Sequence, residues 1–156
     1  MLLKDSSVAT KAREEIAKTI ALMAFLASSE PSDVTDALTI LHKVFSDALP
    51  KGNGELPTHN SALMALHTSS LQGFCLLLPI LSLQYVYERA PKLLLELLPV
   101  LDSPDVDQRI MVGEAIALIY ETARLFEENF RLPKGKETDL VNMLLSKYLI
   151  PPVYIN

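Results

Sequence analysis

The chain has 156 residues, enough for one globular domain, and 49% of them are hydrophobic, 6% are aromatic and none is tryptophan. Strands are enriched in aromatic and β-branched residues, so this composition favours helices. The net charge of −5 argues against general nucleic-acid binding, and the single cysteine excludes an internal disulfide and fits a reducing compartment.

Two amphipathic helices are predicted in the first third of the chain. The first covers about residues 6–28, and its apolar residues recur at three- and four-residue steps. The members of this stripe are Val8, Ala12, Ile16, Ile20, Met23 and Ala27. The second covers about residues 33–49, with Ser32 as its expected N-cap. Its predicted apolar face consists of Val34, Leu38, Leu41, Phe45 and Leu49.

A loop rich in Gly and Pro at residues 50–57 precedes a third, strongly apolar helix. This helix is predicted to begin near Asn60 or Ser61 and to end or kink at Pro79. No Asp, Glu, Lys or Arg occurs from residue 56 to residue 87, and a membrane span needs about 20 predominantly apolar residues. Polar residues such as Gln72 interrupt the run, so we expect a buried helix pair.

The later part of the chain predicts four more helices. Short ones are expected at about residues 84–89 and 92–101, separated by Pro91, which suits a first helical turn. A long helix from Asp105 to about Phe130 should follow, with Ser103 as its N-cap. Its predicted buried stripe is Val106, Ile110, Ile116, Ile119, Ala123, Phe126 and Phe130. A last helix is predicted at about residues 138–149.

The spacing of these segments predicts a repeat architecture. Pairing first with second, third with fourth and fifth with sixth gives units of about 45 residues, the period of HEAT and armadillo repeats. We therefore predict an all-α, armadillo/HEAT-like α–α superhelix of about three antiparallel helix pairs. Residues 1–149 would form one domain, and residues 150–156 an extended tail.

The residue types that carry catalysis or bind metals form no recognisable pattern. His42, His59 and His67 have no Cys or carboxylate at ligand spacing, so ordinary hydrogen-bonded or solvent-facing histidines are expected. Cys75 lies in an apolar run and is expected in the core. No P-loop, dinucleotide-binding glycine motif or nucleophile elbow is present in the sequence. We expect no catalytic site, cofactor, metal or small-molecule substrate, and no membrane partner.

Residues 101–130 resemble the central part of the interferon-related developmental regulator family. The likeness rests on Arg109-Ile110, on the run Gly113-Glu-Ala-Ile-Ala-Leu118, and on Glu121, Ala123 and Arg124. The resemblance implies an armadillo-type, non-enzymatic scaffold that acts as a transcriptional co-regulator or binds ribosomes and represses translation. Its expected location is cytoplasmic, nuclear or both. Family members are several hundred residues long, and residues 147–156 do not resemble their continuation, so we expect a fragment or short form.

Three residues of this region are assigned structural roles. Arg109 is expected to pair with Asp105 or with a neighbouring repeat, and direct contact with a partner is the alternative. Gly113 costs roughly 1 kcal/mol in mid-helix relative to Ala. We interpret it as permitting close helix–helix approach, with a merely tolerated glycine as the alternative.

One compact basic cluster follows the long helix. Arg131, Lys134 and Lys136 are either solvated charges or a contact to a phosphate of ribosomal RNA.

Two other functions stay open. The chain is then either a generic HEAT-type adaptor for a protein partner or a structural fragment without autonomous activity, which the apolar segment 148–155 would suit.

Overall fold

Helices make up almost all of the regular structure in residues 2–52 and 54–132, which the computed structural model describes. The five α-helices in this part are α1 (Thr10–Ala27), α2 (Pro31–Phe45), α3 (Ser61–Leu77), α4 (Leu83–Leu97) and α5 (Val106–Phe126). Short 3₁₀ turns continue α2, α3 and α4 at their C-terminal ends, and no strand occurs in this part. The predicted all-α helical-repeat fold is confirmed. The helix predicted at 138–149 and the tail at 150–156 lie outside the described residues.

The helices form two layers around a shared core. Helix α3 contacts α1 on one side and α5 on the other, so these three make one layer. Helices α2 and α4 lie side by side in the second layer, where His42 of α2 meets Glu96 of α4 at 3.2 Å. The side chains that fill the space between the layers are fully buried: Leu41, Leu77, Leu94, Ile116 and Ile119.

One of the helix pairs predicted from the repeat spacing is not found among the described residues. Helices α1 and α2 are in contact, as predicted, and the sixth helix lies outside the described residues. The most extensive contacts join α1 with α3, α4 with α5, and α2 with α3. The third helix was expected to pair with the fourth, but α3 packs mainly against α1, α2 and α5. Hydrophobic periodicity shows which face of a helix is apolar, but it contains no information about which other helix covers that face.

Helix α4 is one continuous helix, and the predicted break at Pro91 is wrong. Val86, Ala90, Leu93, Leu94 and Leu97 are all buried, and their three- and four-residue spacing continues across Pro91. The free energy gained by burying this face outweighs the cost of proline inside a helix, where it removes one backbone hydrogen bond and clashes with the preceding turn.

The helix starts differ from prediction at two positions. Helix α2 has Glu30 as its N-cap and Pro31 in its first turn, so the expected cap at Ser32 is wrong. Helix α5 is capped by Asp105 instead of Ser103, since the Asp105 side chain accepts a hydrogen bond from Gln108 N at 2.8 Å. Asn60 caps α3 by accepting from Leu63 N, as expected for a start near residue 60.

The predicted apolar stripes of α1 and α5 are partly wrong. Helix α1 buries Glu14, Ala17 and Ala21, while Met23 is 59% exposed. In α5 the exposed members of the predicted stripe are Val106, Ile110 and Phe126. In α2, by contrast, the predicted face is buried at Val34, Leu38, Leu41 and Phe45.

The apolar segment Ser61–Ile80 is long and hydrophobic enough to cross a membrane by length and composition alone. In the fold it lies between α1, α2 and α5, and 61% of its most apolar window is buried. Packing inside the protein therefore accounts for its hydrophobicity, as expected for a core helix.

Candidate functional site

A groove between the second-layer helices forms a concavity on the described surface. It has a volume of about 210 Å³ and runs between α2 and α4 above the end of α3. Its floor is apolar and buried, and it consists of Leu38, Phe74, Leu78, Val86 and Leu93. Sites for small molecules usually measure about 300–1,000 Å³, so this groove suits one or two side chains of a partner better than a cofactor.

Charged and aromatic side chains form the rim of the groove. On α4 the Arg89 guanidinium lies over the Tyr85 ring, with its carbon 3.6 Å from the ring centre. One turn further along, Lys92 Nζ lies 3.7 Å from Glu96 Oε1. Glu96 also faces His42 Nε2 of α2 at 3.2 Å, and this contact closes one end of the groove. The rim therefore combines two cations with one carboxylate that is already paired.

Comparison with known proteins connects this fold to one family. The family model for interferon-related developmental regulators matches residues 1–148. The chain belongs to this family. Its relatives include interferon-related developmental regulator 2 of Mus musculus, at 32% identity over 129 residues, and interferon-related developmental regulator 1 of Sus scrofa, at 30% over 129 residues. The human interferon-related developmental regulator 1 is 28% identical over the same length.

The match covers most of this chain but a smaller share of its relatives. The aligned part is 83% of the chain and 29% of each of these three regulators. The chain thus spans less than a third of their length. No solved structure matches the chain.

The residues on which the family resemblance rests lie along α5, from Arg109 to Arg124. Arg109 Nη1 donates to the carbonyl oxygen of Ser103 at 2.7 Å and to that of Pro104 at 3.2 Å. The neighbouring Asp105 carboxylate caps the same helix. These contacts connect α5 to the loop before it. Gly113 is half-buried on α5, and its role in close helix approach stays a prediction.

Substitution of Asp105 by alanine is expected to destabilise the chain by about 1 kcal/mol, because the Gln108 amide would lose its acceptor at the start of α5. Urea unfolding followed by circular dichroism would measure the loss. Asp105→Ser retains a capping oxygen and should recover most of it. An Ala variant as stable as the wild type would contradict the assigned role.

The basic cluster predicted after α5 is only partly within the described structure. Arg131 is exposed, five residues beyond the end of α5, whereas Lys134 and Lys136 lie outside the described residues. The three side chains therefore stay a sequence-based hypothesis for partner binding. Sequence reasoning missed the groove, although two pairs at i,i+4 spacing on α4, Tyr85 with Arg89 and Lys92 with Glu96, are readable signals.

The three histidines pack against neighbouring rings, and Cys75 packs against the hydrophobic core. His67 is buried beside His59, with ring centres 4.7 Å apart, and His42 packs against Phe45. Burial raises the pKa of the Cys75 thiol to about 12, which keeps it protonated and unreactive at neutral pH. Among the described residues, no group of three or more His, Cys, Asp or Glu side chains is placed to hold a metal ion.

Proposed function

We propose that this chain is a non-enzymatic regulatory scaffold that binds protein partners through its helical-repeat surface. The observation that carries the proposal is the α2–α4 groove, whose buried apolar floor and charged rim are the ingredients of a protein-recognition site. Membership of the interferon-related developmental regulator family supports a regulator over an enzyme. The proposed settings are ribosomes, with repression of translation, and transcriptional co-regulator complexes, in the cytoplasm, the nucleus or both.

Ribosome binding is the first setting to test, because the basic cluster offers a contact to RNA phosphates. Reversal of charge at Arg131, Lys134 and Lys136 is expected to reduce co-sedimentation of the chain with ribosomes in sucrose gradients. The difference from the wild type should be largest at low salt and should narrow as salt is raised, because fewer phosphate contacts give a weaker salt dependence. The double variant Lys43→Glu, Lys51→Glu changes the charge away from the cluster and should sediment as the wild type.

Full co-sedimentation of the triple variant would exclude the basic cluster as a ribosomal contact. If the wild-type chain stays at the top of the gradient, the ribosome setting fails as a whole. A pull-down from nuclear extract, run in parallel, tests the co-regulator setting, and a generic adaptor would be recovered with other partners. Light scattering tests the remaining alternative, since a fragment without activity of its own is expected to self-associate.

A further inference from the structure

We infer that the α2–α4 groove binds a segment of a partner protein in which an acidic residue lies close to a large apolar residue. This inference rests on the proposed function as a protein-binding scaffold and specifies the chemistry of the partner. Side chains of the groove account for both features of this segment, the apolar residue and the acidic residue.

The floor of the groove accounts for the apolar half. Phe74 and Leu93 are 5% and 7% exposed, so the core fixes both side chains and each shows a small, rigid apolar area at the floor. Burial of apolar area against such a surface contributes about 25 cal/mol per Å². A cavity of about 210 Å³ between two helices suits the insertion of a leucine, methionine or phenylalanine side chain.

The rim accounts for the acidic half. Arg89 and Lys92 are exposed cations on one wall, and Glu96 is the one acidic residue among the described groove residues. Glu96 is already paired with His42 at 3.2 Å and with Lys92 at 3.7 Å. Glu88, which precedes Arg89 on α4 and is not a groove residue, lies 3.8 Å from Arg89 Nη1. The lining of the groove therefore has two cations against one carboxylate, and the remaining N–H donors of Arg89 favour a negatively charged segment.

Arg89 is the side chain best placed to bind the carboxylate. Its guanidinium stacks on Tyr85 at 3.6 Å and donates to the Tyr85 carbonyl oxygen at 3.2 Å, which holds it in position before a ligand arrives. A guanidinium has five N–H donors, so further donors can form a two-pronged pair with a carboxylate. A side chain that is already ordered loses less entropy on binding.

A phosphate of RNA would meet the same cations but not the same floor. Nucleic-acid sites combine many cations with faces on which bases stack, and their affinity scales with the number of phosphates neutralised. This groove has two cations, and its floor is mostly aliphatic. Of the rings at its rim, Tyr85 is covered by the Arg89 guanidinium and His42 packs against Phe45. The geometry thus favours a protein segment.

The experiment is a selection of random peptides, displayed on phage, against the immobilised 156-residue chain. Enriched peptides are expected to combine Asp or Glu with Leu, Ile, Met or Phe within a few residues. Synthetic versions, measured by fluorescence anisotropy, should bind the double variant Arg89→Glu, Lys92→Glu at least about tenfold more weakly. The variant Lys43→Glu, Lys51→Glu carries the same change in charge on exposed residues outside the groove and should bind as the wild type.

A second variant tests the apolar half without any change in charge. Thr39 is exposed at the rim on α2, and Thr39→Trp would fill the groove and weaken binding by a similar factor. Thermal unfolding of each variant checks that the fold is retained. Any one of four results would overturn the inference. Two concern the selection, which would enrich either no peptides or peptides without acidic residues. The other two are peptides that bind the Arg89, Lys92 variant as tightly as the wild type, and single-stranded RNA that displaces them at a lower concentration than competing peptide does. If ribosomes or nuclear partners still bind the Arg89, Lys92 variant, the groove inference is contradicted, whereas the proposed scaffold function is not.

Discussion

Substitution of Gly73 by leucine is expected to lower the free energy of unfolding by about 3 kcal/mol, because α1 and α3 touch at this position. A Cβ atom at Gly73 would lie 2.8 Å from the Ala21 Cβ and 3.3 Å from Leu41 Cδ1. The Ala21 Cβ is fixed to the α1 backbone, so relief of the clash requires α1 to move. For a chain of this size, the melting temperature should fall by about 5–10 °C.

The clash can be separated from other effects of losing a glycine. Gly73→Ala gains about 1 kcal/mol of helix propensity, but its Cβ would clash with the Ala21 Cβ. We therefore expect this variant to be as stable as the wild type or less stable. Combined with Ala21→Gly, which removes the opposing methyl group, it should recover stability relative to Gly73→Ala alone. Gly52→Ala is the control, since nothing lies within 4 Å of a Cβ there. If Gly73→Leu unfolds at the wild-type temperature, the two helices do not depend on this contact.

The sequence identifies the helices better than it identifies their buried faces. Periodicity predicts the face of α2 correctly, because large aliphatic residues lie on one side only. In α1 the apolar residues are spread more widely, and the buried face is set by small residues, Ala17 and Ala21, that permit α3 to approach at Gly73. The position of a partner helix decides this, and it cannot be read from the sequence of α1.

Glu14 is a charged residue that is nevertheless buried, because two lysines of the same helix form ion pairs with it. It is 7% exposed, yet Lys18 Nζ and Lys11 Nζ lie 2.6 Å and 3.0 Å from its carboxylate. Lys18 first and Lys11 second hold the pKa of Glu14 below its usual value, and Ser69 of α3 donates to it at 3.3 Å. The spacing of Lys11, Glu14 and Lys18 suggests the ion pairs, but their burial against α3 depends on the tertiary fold.

The groove could be predicted only in part for a similar reason. Tyr85 with Arg89 and Lys92 with Glu96 are neighbours on one helix and visible in the sequence. The contact between His42 and Glu96 joins residues 54 positions apart, and it exists because α2 and α4 lie in the same layer. Since the predicted break at Pro91 would split α4 between these two pairs, a single groove wall could not be expected from the sequence.

The buried His67 is expected to make the fold sensitive to mild acid. It is 4% exposed, its Nδ1 has no hydrogen-bond partner among the described residues, and the His59 ring lies 4.7 Å away. Burial first, and the neighbouring His59 second, lower the pKa of His67 from 6.5 to about 4. In the unfolded chain the side chain takes up its proton near pH 6.5, whereas in the folded chain it stays neutral until about pH 4.

Because the unfolded state binds more protons between these values, stability is retained above pH 6.5 and declines as the pH falls toward 4. The contribution of His67 to this loss is about 3 kcal/mol over that range. His67→Leu cannot take up a proton and also removes the unpaired Nδ1, so its stability relative to wild type should increase steadily from pH 7 to pH 4. Urea unfolding of both proteins at several pH values measures the difference, and the effects of all other titrating groups cancel to first order. Titration of the His67 ring protons by NMR gives an independent check: a midpoint near 6.5 in the folded chain, or parallel stability profiles for the two proteins, would show that the imidazole is not buried in its neutral form.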